Sequence, residues 1–158
     1  MFKRSLLLLF LICFVFSCSK KEKIEISTEP EQDPIIEMYA EAVDALKKGD
    51  AYYAGKKFKE VEGRATKTEW AAKSSLMAAY SDYSRNAYSK SIFALERHIT
   101  NYPADKNIPY AHYLIAICYF EQILDEKKDL KPLLQAKEKF EFILQNYPNT
   151  DLATDSLF

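Results

Sequence analysis

The side chains of this chain that could do chemistry are few and scattered. His98 and His112 are its only two histidines. Neither stands in a spacing such as His-Glu-x-x-His, which sets two imidazoles on one helix face to hold a metal. His98 is expected on the inner side of its helix and His112 on a helix near Tyr110 and Tyr113, both in structural or partner-facing roles. Gly49, Gly55 and Gly63 are isolated, so no glycine-rich phosphate loop exists. The carboxylates are spread over what read as helix exteriors. The reading is therefore of a chain with no catalytic residues, no metal site and no enzyme activity. The formal net charge of −1 offers no basic field for a nucleic acid. What remains is binding chemistry. Eleven tyrosines and ten phenylalanines supply large apolar faces, and the tyrosines add hydroxyls.

Cysteine supplies one further reaction. Lys3 and Arg4 precede an unbroken apolar run from Leu6 to Phe16. The run is shorter than the roughly 20 residues of a membrane span, and it fits the apolar core of a secretory signal, about 7–15 residues. It ends Val15-Phe16-Ser17-Cys18. This resembles a bacterial lipobox, where cleavage before a cysteine is coupled to its acylation. Val15 and Ser17 match that pattern, and Phe16 is bulkier than usual. Cys13 lies inside the run and is the poorer acceptor. Cys18 is thus the expected lipidation site, carrying diacylglycerol and an N-acyl chain; no other cofactor is expected. Ser19 after the cysteine resembles the outer-membrane sorting pattern. Cys118 sits in an apolar helical stretch and reads as a small buried hydrophobe.

These residues must be positioned by a helical scaffold. Gly is scarce (3) and apolar residues make up 48% of the chain, a packed helical composition. A small residue followed four positions on by a large apolar one, and twelve on by a breaker, occurs three times. The sets are Ala54, Phe58 and Thr66; Ser91, Leu95 and Pro103; and Ala136, Phe140 and Pro148. The last two sets close on the same tripeptide, Asn-Tyr-Pro, at Asn101 and at Asn146. Such recurrence marks an array of helical hairpins.

Residues 1–17 read as the signal peptide and 18–33 as the lipidated cysteine with a flexible, mixed-charge tether. Residues 34–158 read as the repeat domain, an all-α solenoid of three hairpins and the start of a fourth. The first helix is expected from about Pro34 to Lys48, with Asp33 as N-cap, Pro34 at the first helical position and Gly49 beyond the end. The second is expected from about Ala51 to Gly63. Thr68 is expected to cap the third, Asn86-Ala87-Tyr88 to turn into the fourth, and Pro109 and Pro132 to open the two helices of the third hairpin. The hydrophilic stretch 125–131 reads as an inserted loop, solvated or contacting a partner. Leu157-Phe158 leaves two apolar residues with nothing to stack on, whereas a solenoid normally ends in a polar cap. The sequence is therefore read as C-terminally truncated.

The spacing resembles the tetratricopeptide repeat. Ala42, Ala79 and Ala116, with Ala54 and Ala136, are expected at close helix contacts, and Phe58 and Phe140 in the wedges between hairpins. By that register the first helices line a groove, giving an expected peptide or partner site of Tyr39, Val43 and Leu46, then Tyr80 and Tyr83, then Tyr113, Ile117 and Phe120. Each of these could equally pack between hairpins.

Longer stretches are similar to the BamD (ComL-type) family of outer-membrane lipoproteins. They are Ala42 to Asp50 with Phe58-Lys59-Glu60-Val61, Trp70 to Tyr80, Pro109 to Leu114 with Tyr119 to Ile123, and Tyr147 to Thr150 with Ala153 to Ser156. The resemblance covers about Asp33 to Phe158. It departs at Ala65-Thr66, where the family usually has Pro, and the family's last two repeats are absent. The resemblance implies a lipid-anchored scaffold on the periplasmic face of the outer membrane. Its implied partners are BamA, docked through the absent repeats, the other subunits of the β-barrel assembly (BAM) complex, and unfolded β-barrel outer membrane proteins. The competing reading is a general periplasmic tetratricopeptide adaptor of another envelope complex.

Overall fold

A computed structural model describes residues 33–123 and 129–157. The signal peptide, Cys18, nearly all of the tether, residues 125–128 of the inserted loop and Phe158 lie outside the described residues.

Among the described residues seven helices follow one another: α1 (Pro34–Lys47), α2 (Ala51–Arg64), α3 (Glu69–Ser84), α4 (Tyr88–Asn101), α5 (Ile108–Phe120), α6 (Lys131–Asn146) and the short α7 (Asp151–Asp155). Local chemistry sets their ends. The Asp33 carboxylate accepts from the Ile35 N–H at 2.9 Å, ahead of Pro34. Gly49, at φ +85°, lies where an L side chain would be strained, and it breaks the chain away from α1. Asp50 then accepts from the Tyr53 N–H at 2.9 Å and starts α2.

Thr68 stands at the N-cap of α3 but does not cap it. Its hydroxyl donates to the Ala65 carbonyl at 2.6 Å and closes the turn behind the helix. Asn86 takes the left-handed conformation, φ 59°, in the turn into α4, as the short polar side chain permits. Pro109 and Pro132 lie in the first turns of α5 and α6, where no donor is lost. Thr150 caps α7, its hydroxyl accepting from the Ala153 N–H at 3.2 Å.

Each helix packs on the next, giving the hairpins α1–α2, α3–α4 and α5–α6, with α7 against α5 and α6. Among the described residues α1 touches α3 and α3 touches α5 along their backbones, while α2 and α4 stay apart at the backbone and are joined by the Glu62–Arg97 ion pair at 2.7 Å. The first helices therefore form the tighter inner row and the second helices the outer one. This is the all-α hairpin solenoid expected from the sequence.

Small residues make the close approaches. Ala42, Ala54, Ala79 and Ala116 are fully buried and Ala136 nearly so. A Cβ added at Gly55 would sit 3.1 Å from Ser81 Cβ, so α2 and α3 meet closer than two ordinary side chains allow. Phe58 is fully buried among Ala42, Ala45, Ala54 and Ala78, with the Tyr39 ring edge-on at 5.3 Å. Phe140 departs from the wedge role expected of it. It is only half-buried, edge-on to Tyr113 at 6.1 Å, and its other side borders a cavity shared with Ile117, Phe120 and Leu157. Cys118 is buried beside Leu95, Leu114 and Ile115. Burial pushes its thiol up to about 11, which leaves it protonated and inert.

Candidate peptide-binding groove

The inner row of helices carries a groove of about 380 Å³, lined by Tyr39 from α1, by Lys73, Leu76, Met77 and Tyr80 from α3, and by Asn107 and Tyr110 at the start of α5. Its floor is aromatic. Tyr39 lies edge-on to both Phe58 and Trp70, the latter at 5.0 Å. The Lys73 ammonium sits 4.5 Å from the centroid of the Trp70 ring and 3.1 Å from Glu69 Oε2. That places a cation on an aromatic face at the edge of the groove.

Burial raises the Tyr39 phenol and pushes Tyr110 up to about 12, with the phenols of Tyr80, Tyr83 and Tyr113 adding to the effect at Tyr110. Both therefore offer neutral hydroxyls, able to donate as well as accept. Past Lys73 and Asn107 the groove continues into a second cavity of about 540 Å³, bounded by Lys67, Glu69, Tyr102, Asp105 and Lys106. Three lysines thus flank a continuous trough with an apolar middle. Such a trough fits a peptide with one large apolar anchor and an anionic group within reach of the lysines.

The structure divides the residues expected to line the groove. Tyr39 and Tyr80 lie in it together. Val43 and Leu46 are half-buried against the Ala42–Phe58 cluster and are packing residues. Tyr83 stands between Tyr80, at 5.9 Å, and Tyr88, at 6.0 Å, in an aromatic row beyond the groove. Tyr113 packs on Phe140. Ile117 and Phe120 belong to a separate cavity of about 550 Å³ that they form with Leu133, Phe140, Leu144 and Leu157.

Lys73, Leu76, Met77, Asn107 and Tyr110 line the groove without having been expected there from the sequence. Tyr39, Leu76 and Tyr113 are equivalent repeat positions, each three residues before its buried alanine (Ala42, Ala79 and Ala116). Yet the groove takes Tyr110, one helical turn before Tyr113. Each hairpin turns relative to the last, so the lining steps along the helices as it crosses the array. A register stepped by one turn would have found Tyr110.

The two histidines lie away from the groove lining. His98 is fully buried in α4, stacked 5.5 Å from Tyr102, with Nε2 3.7 Å from Asp105 Oδ2. Among the described residues neither ring nitrogen has a hydrogen-bond partner, and desolvation pulls its imidazole below the ordinary value, opposed by Asp105. His112 stands on α5 with Tyr110 and Tyr113, and its ring packs on Phe142 at 4.5 Å and lies 6.4 Å from Tyr147. Among the described residues no three His, Cys, Asp or Glu converge to hold a metal ion. No described helix is long and apolar enough to cross a membrane.

Fold and groove together define a class: a tetratricopeptide-like solenoid with a peptide-sized inner trough. The sequence model of the YfiO family, described as outer membrane lipoprotein, matches residues 31–158. The chain belongs to this family. It is 39% identical over 126 residues to the outer membrane protein assembly factor BamD of Caulobacter vibrioides, covering 80% of this chain and 41% of that protein. To the protein of the same name from Rickettsia prowazekii it is 31% identical, over 78% of this chain and 49% of the relative. To that of Neisseria meningitidis serogroup A it is 27% identical, over 98% and 62%. The chain spans about half the length of these curated relatives. The resemblance to the BamD family read from the sequence is borne out.

Proposed function

We propose that this chain is the N-terminal part of an outer-membrane-anchored, non-enzymatic scaffold of the β-barrel assembly complex, and that its inner trough receives segments of unfolded β-barrel proteins. The observation that carries the proposal is the groove shared by α1, α3 and the start of α5, apolar in its middle and flanked by Lys67, Lys73 and Lys106. It matches the chemistry of a chain end: an aromatic side chain for the Tyr39–Tyr80–Tyr110 pocket and a carboxylate for the lysines. The relatives are named for outer membrane protein assembly, which supplies the substrate class.

The anchor belongs to the same proposal. Two or more acyl chains on Cys18 would give stable attachment where one gives only marginal binding. BamA and the other BAM subunits are the proposed partners, with BamA docking beyond the repeats in this chain.

The experiment is a binding titration with a synthetic peptide copying the last strand of a β-barrel protein and ending in phenylalanine. Tyr110→Ala should weaken binding by about tenfold, the loss expected for an aromatic contact of about 1.5 kcal/mol. Tyr113→Ala, which sits on Phe140 outside the groove, should leave binding unchanged. Equal losses for the two variants, or full retention by Tyr110→Ala, would remove the groove from the proposal.

A further inference from the structure

The outer row of helices carries a second surface that the groove does not use. Tyr52 on α2 and Phe93 on α4 are each 71% exposed, the two most exposed large apolar side chains of the described residues. They stand at either end of one continuous strip. The Arg85 guanidinium lies 5.2 Å from the centroid of the Tyr52 ring and 3.7 Å from Asp82, and the Lys59 ammonium lies 3.3 Å from the same Asp82. Lys59 and Asp82 then line a shallow depression of about 410 Å³ with Ser89, Lys90, Phe93 and Arg97.

The strip sorts its charges by depth. The Asp82 side chain is 12% exposed and the Lys59 side chain 53%. Glu62, which binds Arg97 at 2.7 Å, is 12% exposed against 42% for Arg97. The carboxylates are thus tucked beneath the cations that hold them. Lys56 and Lys90 are exposed beside these pairs, and Glu96 is the exposed acid of the same stretch of α4. Solvent therefore meets aromatic edges and cationic ends, on a protein whose formal net charge is −1.

We propose that this outer strip rests on an anionic phospholipid surface, with Tyr52 and Phe93 entering the headgroup layer and Lys56, Lys59, Lys90 and Arg97 meeting phosphates. The chemistry is complementary on both counts: amphipathic aromatics suit the boundary layer, and lysine and arginine stems lie along apolar surface while their charged ends reach phosphate. A protein tethered to a leaflet meets that surface at high effective concentration, so a weak patch suffices. Contact through the outer row would leave the inner trough open. This inference rests on the proposed acyl anchor for its setting, and it is tested separately from it.

The test uses the processed, acylated full-length protein on vesicles of phosphatidylethanolamine mixed equally with phosphatidylglycerol or with phosphatidylcholine. Cys118 is buried and protonated at neutral pH, so a Phe93→Cys variant can be labelled selectively with an environment-sensitive fluorophore. The label should shift to the blue and be quenched by nitroxide-bearing lipid on phosphatidylglycerol vesicles, and do neither on phosphatidylcholine vesicles. A label at Lys106→Cys, beside the trough, should stay in water on both. Adding Lys56→Glu and Lys90→Glu should cut the quenched fraction by about tenfold or more. Flotation reports the anchor by itself and should not depend on phosphatidylglycerol. Absence of quenching at position 93, or equal quenching on both vesicles, overturns the proposal whether or not the protein floats. Quenching lost in favour of saturable binding of polyglutamate would assign the strip to an acidic protein segment and would equally overturn it.

Discussion

Phe58 and Phe140 hold equivalent positions in the first and third hairpins, and the structure predicts very different costs for truncating them. Phe58 is fully buried, walled by Ala42, Ala45, Ala54 and Ala78, whose short side chains cannot reach in to fill a void. Phe58→Ala should therefore cost about 3–5 kcal/mol, the range for a buried phenylalanine whose site stays open. Phe140 is half-buried, with one side on a cavity of about 550 Å³ and its firmest contact the edge of Tyr113. Half of the roughly 1.5–3 kcal/mol for burying such a side chain, plus a small aromatic-pair contribution, gives about 1–2 kcal/mol for Phe140→Ala.

Urea denaturation followed by far-UV circular dichroism separates the two. With a slope of about 2 kcal/mol per molar, Phe58→Ala should lower the midpoint by about 2 M and Phe140→Ala by about 0.5–1 M. The Phe58 variant should also lose cooperativity, since neighbouring repeats are coupled only through their interfaces. Equal midpoints would show that the third hairpin is covered in solution as fully as the first. An unchanged melt for Phe140→Ala would show that the repeat register is wrong.

Other perturbations probe the close packing and the buried imidazoles. Gly55→Ala should destabilise by about 1 kcal/mol, because crowding costing roughly 1–3 kcal/mol outweighs a helix-propensity gain of about 1 kcal/mol. Adding Ser81→Gly should recover part of that loss, as a double-mutant cycle by thermal melting would show; additive losses would place the strain elsewhere. His98 and His112 are both held below the ordinary value of 6.5, each chiefly by desolvation. The unfolded chain thus takes up protons at a pH where the native one does not. Stability should be fully present above about pH 6.5 and fall as the pH drops from there toward the native values. The double variant His98→Leu, His112→Leu should flatten that slope between pH 7 and about 5.5 in denaturant titrations, and an unchanged slope would assign it to carboxylates.

The helix ends were written locally and could be read so. Asp33-Pro34, Gly49-Asp50 and Thr150 each act on atoms within a few residues, and the alanines at close contacts declare themselves by size. Thr68 departs from the expected cap because a hydroxyl can accept from the helix ahead or donate to the carbonyl behind, and the sequence does not choose. The groove was only partly legible for a different reason. Along α3 the residues Ala71, Ser74, Ser75, Leu76, Ala78, Ala79, Ser81 and Asp82 are all buried, so it is enclosed round most of its circumference. Hydrophobic periodicity then no longer marks one face. Lys73 and Tyr110 owe their places to the turn between hairpins, which no single helix encodes. His98 and Asp105 meet through the loop after α4, a contact with no periodic signature at all.

The seam between α2 and α3 has a mechanical consequence. Where Gly55 faces Ser81, and Ala54 and Ala78 share one cluster, the helices approach closely through small residues that have little rotamer freedom. Such a contact is stiff, since any tilt of one hairpin against the other drives main-chain atoms together. The first two hairpins should move as one lever, and the arc that they hold from Tyr39 to Tyr80 should keep its curvature whether the trough is empty or filled. Bending of the array would then concentrate at the next junction, between α4 and α5, where bulkier side chains such as Leu95, Leu114 and Ile115 give the interface room to slide.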